Sequence, residues 1–205
     1  VIGAKSGNGL RRRTTLATVP ATPPPVRLDG LHAASVIGAS GGGRGVTAAC
    51  LLALARAKQP RMILLGRTPL AEEPPAFAEI HDEAGLRKAL LQRAQAQGDP
   101  TTPAVLNSQL SALLALRELR NTLAELKAAG SEARYLSVDV ADAAALAEAL
   151  ESVRREWGPI TAVVHGAGVL ADKRIEEKTD EQFDQVFNTK VGGLRALLTA
   201  TQHDP

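Results

Sequence analysis

The chain has a single cysteine, Cys50, in 205 residues. A lone cysteine forms no internal disulfide, so the core alone must hold the fold, and a reduced, cytoplasmic setting is expected. Long apolar runs are missing as well. None approaches the roughly 18 residues that a membrane span requires, and the first residues lack the charged-then-apolar order of a secretory signal. There is no excess of one charge. With 24 basic and 22 acidic residues the formal net charge is +2, which gives no reason to expect nucleic acid or an anionic membrane as partner. No metal site is read from the sequence. Tyrosine is nearly absent: Tyr135 stands alone, and neither Y-x-x-x-N nor Y-x-x-x-K surrounds it. The chain opens on Val1 and not on Met, so it is expected to be cut from something longer. What is present is a 44 % hydrophobic composition, enough for one sizeable core with extensions.

Residues 1–32 combine Arg11, Arg12 and Arg13 with V-P-A-T-P-P-P-V and read as a Pro/Arg-rich linker. The arginines are either a patch for an acidic partner or a solvated linker run. A strand follows over Ala33–Ala39, a helix from Arg44 to about Ala57, and a second strand over Met62–Leu65, giving one βαβ unit with a right-handed crossover. About 65 residues then separate Arg67 from the next strand, at Arg134–Val138, far more than a crossover needs. The interval holds a Pro/Glu-rich segment and a helix over Glu83–Gln97, together an insertion at about residues 69–100. A long helix then starts with Thr102 as N-cap and Pro103 at its first position, and ends at Gly130. A helix over Ala143–Trp157, a fourth strand over Thr161–Val164, and a helix opened by the capping box at Thr179 and continuing to about Thr201 complete the pattern. Strands that are continuous apolar runs, alternating with helices, predict an α/β, Rossmann-like parallel sheet covered on both faces. In the order 3-2-1-4 the fourth strand is an edge, with Val163 and Val164 partly uncovered.

The candidate site begins at V-I-G-A-S-G-G-G-R-G-V-T, Val36 to Thr47. A β-branched run ends in Ser40, four of the next five residues are glycine, and a helix begins at once. Such a turn needs positive φ and close backbone approach, both of which exclude a Cβ, and the amides of the following helix face an anion. This reads as a pyrophosphate cradle or as a flexible connector. Two registers fit: Gly43-Arg44-Gly45-Val46-Thr47-Ala48 matches G-x-G-x-x-A, and Ser40-Gly41-Gly42-Gly43-Arg44-Gly45-Val46 matches S-G-x-x-x-G-hydrophobic. At the end of the second strand stands Arg67, with no acidic residue before Glu72, which predicts a 2′-phosphate and hence NADP over NAD. Arg44 is a second phosphate partner or a surface arginine. Asp139, with Val140 after it at the third strand's end, accepts from an adenine amino group or, as a loop-start residue, caps the next helix.

S-G-G-G-R-G-V-T, L-L-G-R, V-D-V and H-G-A-G-V-L occur in that order, each at a strand end. Together they resemble the ketoreductase domains of polyketide synthases and polyunsaturated fatty acid synthases, in the short-chain dehydrogenase/reductase superfamily. The resemblance covers roughly residues 33–201. Ser40 stands for the usual Thr, Thr47 for the frequent last glycine of the turn, and the insertion is unusually long. Carrier-protein-dependent members often end the fourth strand in H-x-A-G, matched here by His165, Gly166, Ala167 and Gly168. The glycines would lie against the cofactor ribose, and His165 is either a base or a donor to backbone.

The resemblance implies hydride transfer from NADPH to a β-ketone carried as a thioester on an acyl carrier protein, within a multienzyme whose other domains are partners. It also implies that Lys190, in F-N-T-K-V-G-G, is the catalytic lysine, its buried ammonium lowering a tyrosine's pKa. Leu170-Ala171-Asp172 resembles the L-x-D element tied to a D-configured (3R) alcohol. The family's serine and tyrosine follow a fifth strand, and neither is found. The chain is therefore expected to be the N-terminal part of such a domain, inactive alone. Two other readings stand beside it: a non-catalytic structural or nucleotide-sensing module, and a different NADP-dependent Rossmann enzyme that uses the other glycine register.

Overall fold

Four apolar runs become the four strands of one parallel sheet: β1 (Val36–Ser40), β2 (Arg61–Gly66), β3 (Ala133–Ser137) and β4 (Ala162–His165). The computed structural model describes residues 29–99 and 101–205, so the linker read over residues 1–32 lies outside it up to residue 28. The sheet order is β3-β2-β1-β4, as the sequence predicts. Its register places Ser40 opposite both Leu65 and His165. Three strands thus end side by side, and the candidate residues sit on those ends.

Helices cover both faces. On one face α5 (Ala143–Trp157) and α7 (Gly193–Ala200) pack Leu146, Leu150, Val153, Ala196 and Leu197 against Val36, Ile63 and Leu65. On the other, α1 (Gly45–Lys58) and α4 (Pro103–Ala128) bring Leu51, Ala55 and Leu126 onto Ala39, Met62 and Leu64. Every residue of β1 is buried, which explains its lack of alternation. β4 lies at the sheet edge with Val163 and Val164 half-buried. Trp157 closes the end of the sheet remote from the candidate site, with the guanidinium of Arg134 4.5 Å and that of Arg61 6.0 Å from its ring centre.

The expected insertion has a core of its own. The short α2 (Pro75–Ala78), α3 (Glu83–Gln97) and the first half of α4 enclose Phe77, Leu86, Leu90, Leu106, Leu110 and Leu113. Thr102 caps α4 by accepting from the amide of Val105, and Pro103 occupies the first turn. Arg117, on α4, ties the insertion down. Its guanidinium donates to both carboxylate oxygens of Glu73, to the carbonyl of Ile80 at 2.7 Å and to that of Phe77 at 2.7 Å. Both side chains of the pair are largely buried.

Three elements differ from expectation. β1 starts three residues late, because His32 to Ser35 form a hydrogen-bonded turn. Helix α2 is opened by Pro75, whose lone turn carries no periodicity to read. The helix begun by the Thr179 capping box is not continuous. It runs as α6 (Asp180–Phe187), a π-helical turn over Asn188–Gly192, and α7. The turn takes in one extra residue per hydrogen-bonded loop, and it sets Gly193 where a Cβ would lie 2.8 Å from Val140 Cγ1 and 3.2 Å from His165 Cε1.

Arg117 holds the Glu73 carboxyl below its ordinary range, chiefly through their hydrogen bonds, with burial opposing. A depressed folded-state value means that this pair's stabilisation is complete above about pH 4.5 and is lost as pH falls through the lowered value. Arg117→Ala should cost about 2–4 kcal/mol in urea unfolding at pH 7, and the parent and Glu73→Gln should converge in stability as the pH falls through that lowered value.

Candidate functional site

The turn after β1 is built by what its residues lack. Gly41 has φ of +67° and donates its amide to the carbonyl of Leu65 at 2.9 Å. A Cβ there would stand 2.7 Å from the amide nitrogen of Ala167, so a side chain would push the ends of β1 and β4 apart. At Gly42 a Cβ would meet Leu51 and Leu64, and at Gly43 it would meet Leu119. Gly45, with φ of +63°, is different: nothing lies within 4 Å of a Cβ built there. Behind it α1 begins with no cap from the Arg44 side chain and no acidic residue in its first turn. Arg44 is exposed, and Val46 is 82 % exposed. The front of the turn is open, and it leads onto a helix N-terminus.

His165 knits the neighbouring strand end to this turn. One ring nitrogen, Nδ1, lies 2.6 Å from the hydroxyl of the fully buried Ser40. The other, Nε2, lies 2.9 Å from the carbonyl oxygen of Lys190. A carbonyl can only accept, so Nε2 carries the proton, and in the neutral ring Nδ1 accepts from the Ser40 hydroxyl. Ser40 in turn faces the amide of Ala167 at 3.4 Å. Both nitrogens are engaged, and the ring acts here as a strut. Gly166 donates its amide to Ser40 at 2.9 Å, and a Cβ on it would strike the side chain of Thr47. Thr47 thus fills the space that Gly166 leaves empty. Gly168 lies along the stem of Lys190, 3.4 Å from its Cε to a Cβ built on the glycine.

On the other side of the turn, Arg67 comes within 4.0 Å of Asp139, both well exposed. The second carboxylate oxygen of Asp139 accepts from the amide of Ala141 at 2.9 Å, so this residue shapes its own turn, while Asp142 caps α5. The Val140 side chain is buried in the core against α7, which leaves its main chain to face a ligand. Lys190, whose ammonium is expected to be buried, is exposed. Tyr135 lies on β3, its hydroxyl 3.0 Å from a Cβ built on Gly66. Burial pushes its phenol up, partly offset by hydrogen bonds with Thr68. Three strand spacings, roughly 14 Å, separate β3 from β4.

Glu118 belongs to this neighbourhood too, although nothing in the sequence pointed to it. From α4 its carboxylate accepts from the amide of Gly45 at 2.9 Å, across 73 residues of chain.

The KR domain model matches residues 35–205. The chain belongs to the ketoreductase (KR) domain family. It is 36 % identical over 171 residues to a polyunsaturated fatty acid synthase polypeptide of Thraustochytrium sp., covering 80 % of this chain and 6 % of that protein. It is also 36 % identical over 81 residues to polyketide synthase PksN of Bacillus subtilis, covering 40 % of this chain and 2 % of that one. The KR domain thus spans a small fraction of the synthases it matches. Its fold is shared with an N-terminal ketoreductase from the macrolactin assembly line (TM-score 0.59, 19 % identity, 96 % of this chain and 28 % of that one). It is shared too with an alcohol dehydrogenase from the archaeon Thermococcus sibiricus complexed with 5-hydroxy-NADP (TM-score 0.55, 21 % identity, 83 % and 52 %). Both the fold and the family place this KR domain in the short-chain dehydrogenase/reductase superfamily of oxidoreductases. Among its described residues no helix is long and apolar enough to cross a membrane, and no group of three or more His, Cys, Asp or Glu side chains could hold a metal.

The contact of Thr47 with Gly166 gives a direct test of the site's packing. Gly166→Ala should destabilise the KR domain by about 2–3 kcal/mol. Adding Thr47→Ala, which removes the two closest atoms, should recover more than about 1 kcal/mol of that loss in a double-mutant cycle read by urea unfolding.

Proposed function

We propose that this chain is the NADPH-binding portion of a ketoreductase acting on β-ketoacyl thioesters carried by an acyl carrier protein, within a multienzyme of polyketide or fatty acid synthesis. The observation that carries the cofactor choice is Arg67, a guanidinium at the end of β2 beside the glycine turn, with no acidic residue before Glu72. The residues present fit a dinucleotide. Gly45 leaves open space for a Cβ at a helix start that its own N-cap residue does not cap, Gly41 brings two strand ends into contact, and Gly166 and Gly168 keep the end of β4 low. The bound cofactor would supply a hydride equivalent to the ketone carbon.

The chain's own residues divide the remaining work. Ser40, Gly41, Gly42, Gly43, Arg44, Gly45 and Val46 form the pyrophosphate turn, with amides and a helix N-terminus facing an anion. Arg67 neutralises the 2′-phosphate, and Asp139 with the main chain of Val140 borders the adenine. His165, through Ser40 and the Lys190 carbonyl, fixes the relation between the turn and the helix that carries Lys190. Lys190 is the catalytic lysine of this reading. Proton delivery to the substrate oxygen would need a tyrosine near it, and Tyr135, the only one, is on the far edge of the sheet. The chain by itself is therefore an NADPH binder without reductase turnover. The region of residues 69–100 is an insertion into the domain that runs over 33–205, after a linker over 1–32. The setting is cytoplasmic.

In fluorescence titrations Arg67→Ala should weaken NADPH binding by at least about tenfold and leave NADH nearly unaffected. Equal affinities for the parent and the variant with both nucleotides would overturn the cofactor assignment. Incubation of the chain with NADPH and a β-ketoacyl thioester should give no oxidation of cofactor, and measurable turnover would contradict the division of labour above.

A further inference from the structure

The first free amide of α1 is the natural seat for an anion, and in this protein a side chain already sits there. Gly45 donates to Glu118 Oε1 at 2.9 Å. The helix has no other provision at that end: the Arg44 side chain makes no capping bond, and its first turn holds no acidic residue. A carboxylate at a helix N-terminus both satisfies an orphan donor and complements the helix dipole. Glu118 arrives from α4 on a fixed support. Next to it, Leu119 is 2 % exposed and packs over Gly43, while Arg117 and Arg120 bind Glu73 and the carbonyls of Phe77, Ile80 and Ala71. Those carbonyls all belong to the segment that follows Arg67. One turn of α4 is thereby braced against the chain beyond β2 and against the glycine turn at once. Glu118 itself is exposed, so its carboxylate can leave Gly45 for water without uncovering any core.

We infer that Glu118 is an affinity-determining residue of the cofactor site, an internal anion that caps α1 in the free protein and is displaced by the pyrophosphate. The inference rests on the reading of Ser40 to Val46 as the pyrophosphate turn. Two anions cannot share the Gly45 donor, and a carboxylate left beside a diphosphate repels it. Glu118 therefore sets a threshold that the cofactor must exceed. Nothing in the β-strand ends themselves imposes it. It is contributed by the helix that also carries the insertion.

The test is NADPH titration of the whole chain, followed by fluorescence, for the parent, Glu118→Ala, Glu118→Gln and Arg67→Ala. Glu118→Ala should bind roughly three- to tenfold more tightly. Glu118→Gln, whose amide oxygen still accepts from Gly45, should gain a smaller factor from loss of charge alone. In the absence of ligand, Glu118→Ala should melt about 1–3 °C lower, because the cap is gone. A residue with a merely structural role would move affinity and melting temperature down together. If both Glu118 variants bind NADPH as the parent does or more weakly, while Arg67→Ala weakens it, the inference is overturned and the cofactor reading survives. If none of the four proteins binds NADPH, both are overturned.

Discussion

The fold around the site depends on a near-contact between two stretches of backbone. Gly41 lies so near Gly166 and Ala167 that a single methylene would separate them. Parallel pairing of β1 with β4 ends there, the Ser40 hydroxyl and the His165 ring close over the junction, and the helix bearing Lys190 is fixed through its own carbonyl. The turn, the strand end and the kinked helix are therefore one mechanical object. A side chain at position 41 would disturb all three, and because the Lys190 carbonyl can only accept, the neutral ring of His165 has only one tautomer available.

Around that junction the protein has grown in one direction. Helix α4 is far longer than a crossover needs, and its second half does the ordinary work of covering the sheet with Leu126. Its first half carries a separate small core around Leu86, Leu90 and Leu110. Where the halves meet, Arg117, Glu118, Leu119 and Arg120 reach both the segment after β2 and the glycine turn. The extra core is thus not an appendage hung on a loop. It is continuous, through one rigid helix, with the glycine turn.

Local chemistry made most of this readable in advance. Thr102 followed by Pro103, the capping box at Thr179, and glycines 98 and 130 at helix ends all act within a few residues of themselves, so their outcomes follow from the sequence. Buried strands alternating with helices predicted the parallel sheet, and the family resemblance carried its order. What the sequence concealed depends on distant partners. Glu118 is an unremarkable polar position on a leucine-rich helix until α4 lies beside Gly45. Val140 is adjacent to Asp139 in a motif, yet in the turn after β3 its side chain lies in the core. The π-helical turn has no pattern of its own, and it sets Gly193 against Val140 and His165. Lys190 was expected under cover, a property of surroundings that no single motif specifies.

Trp157 has a use beyond closing the core. It is the only tryptophan, it is nearly inaccessible to water, and the two guanidinium groups beside it make its surroundings unlike those of an unfolded chain. Its emission is therefore a clean single-site optical signal for cooperative loss of the sheet and α5. It sits beyond the beginning of the strands while the glycine turn lies at their end, about 16 Å away along a five-residue strand. At that separation its emission answers to folding and not to direct contact at the turn. One side chain can thus report the folded state of the whole sheet without being touched at the site.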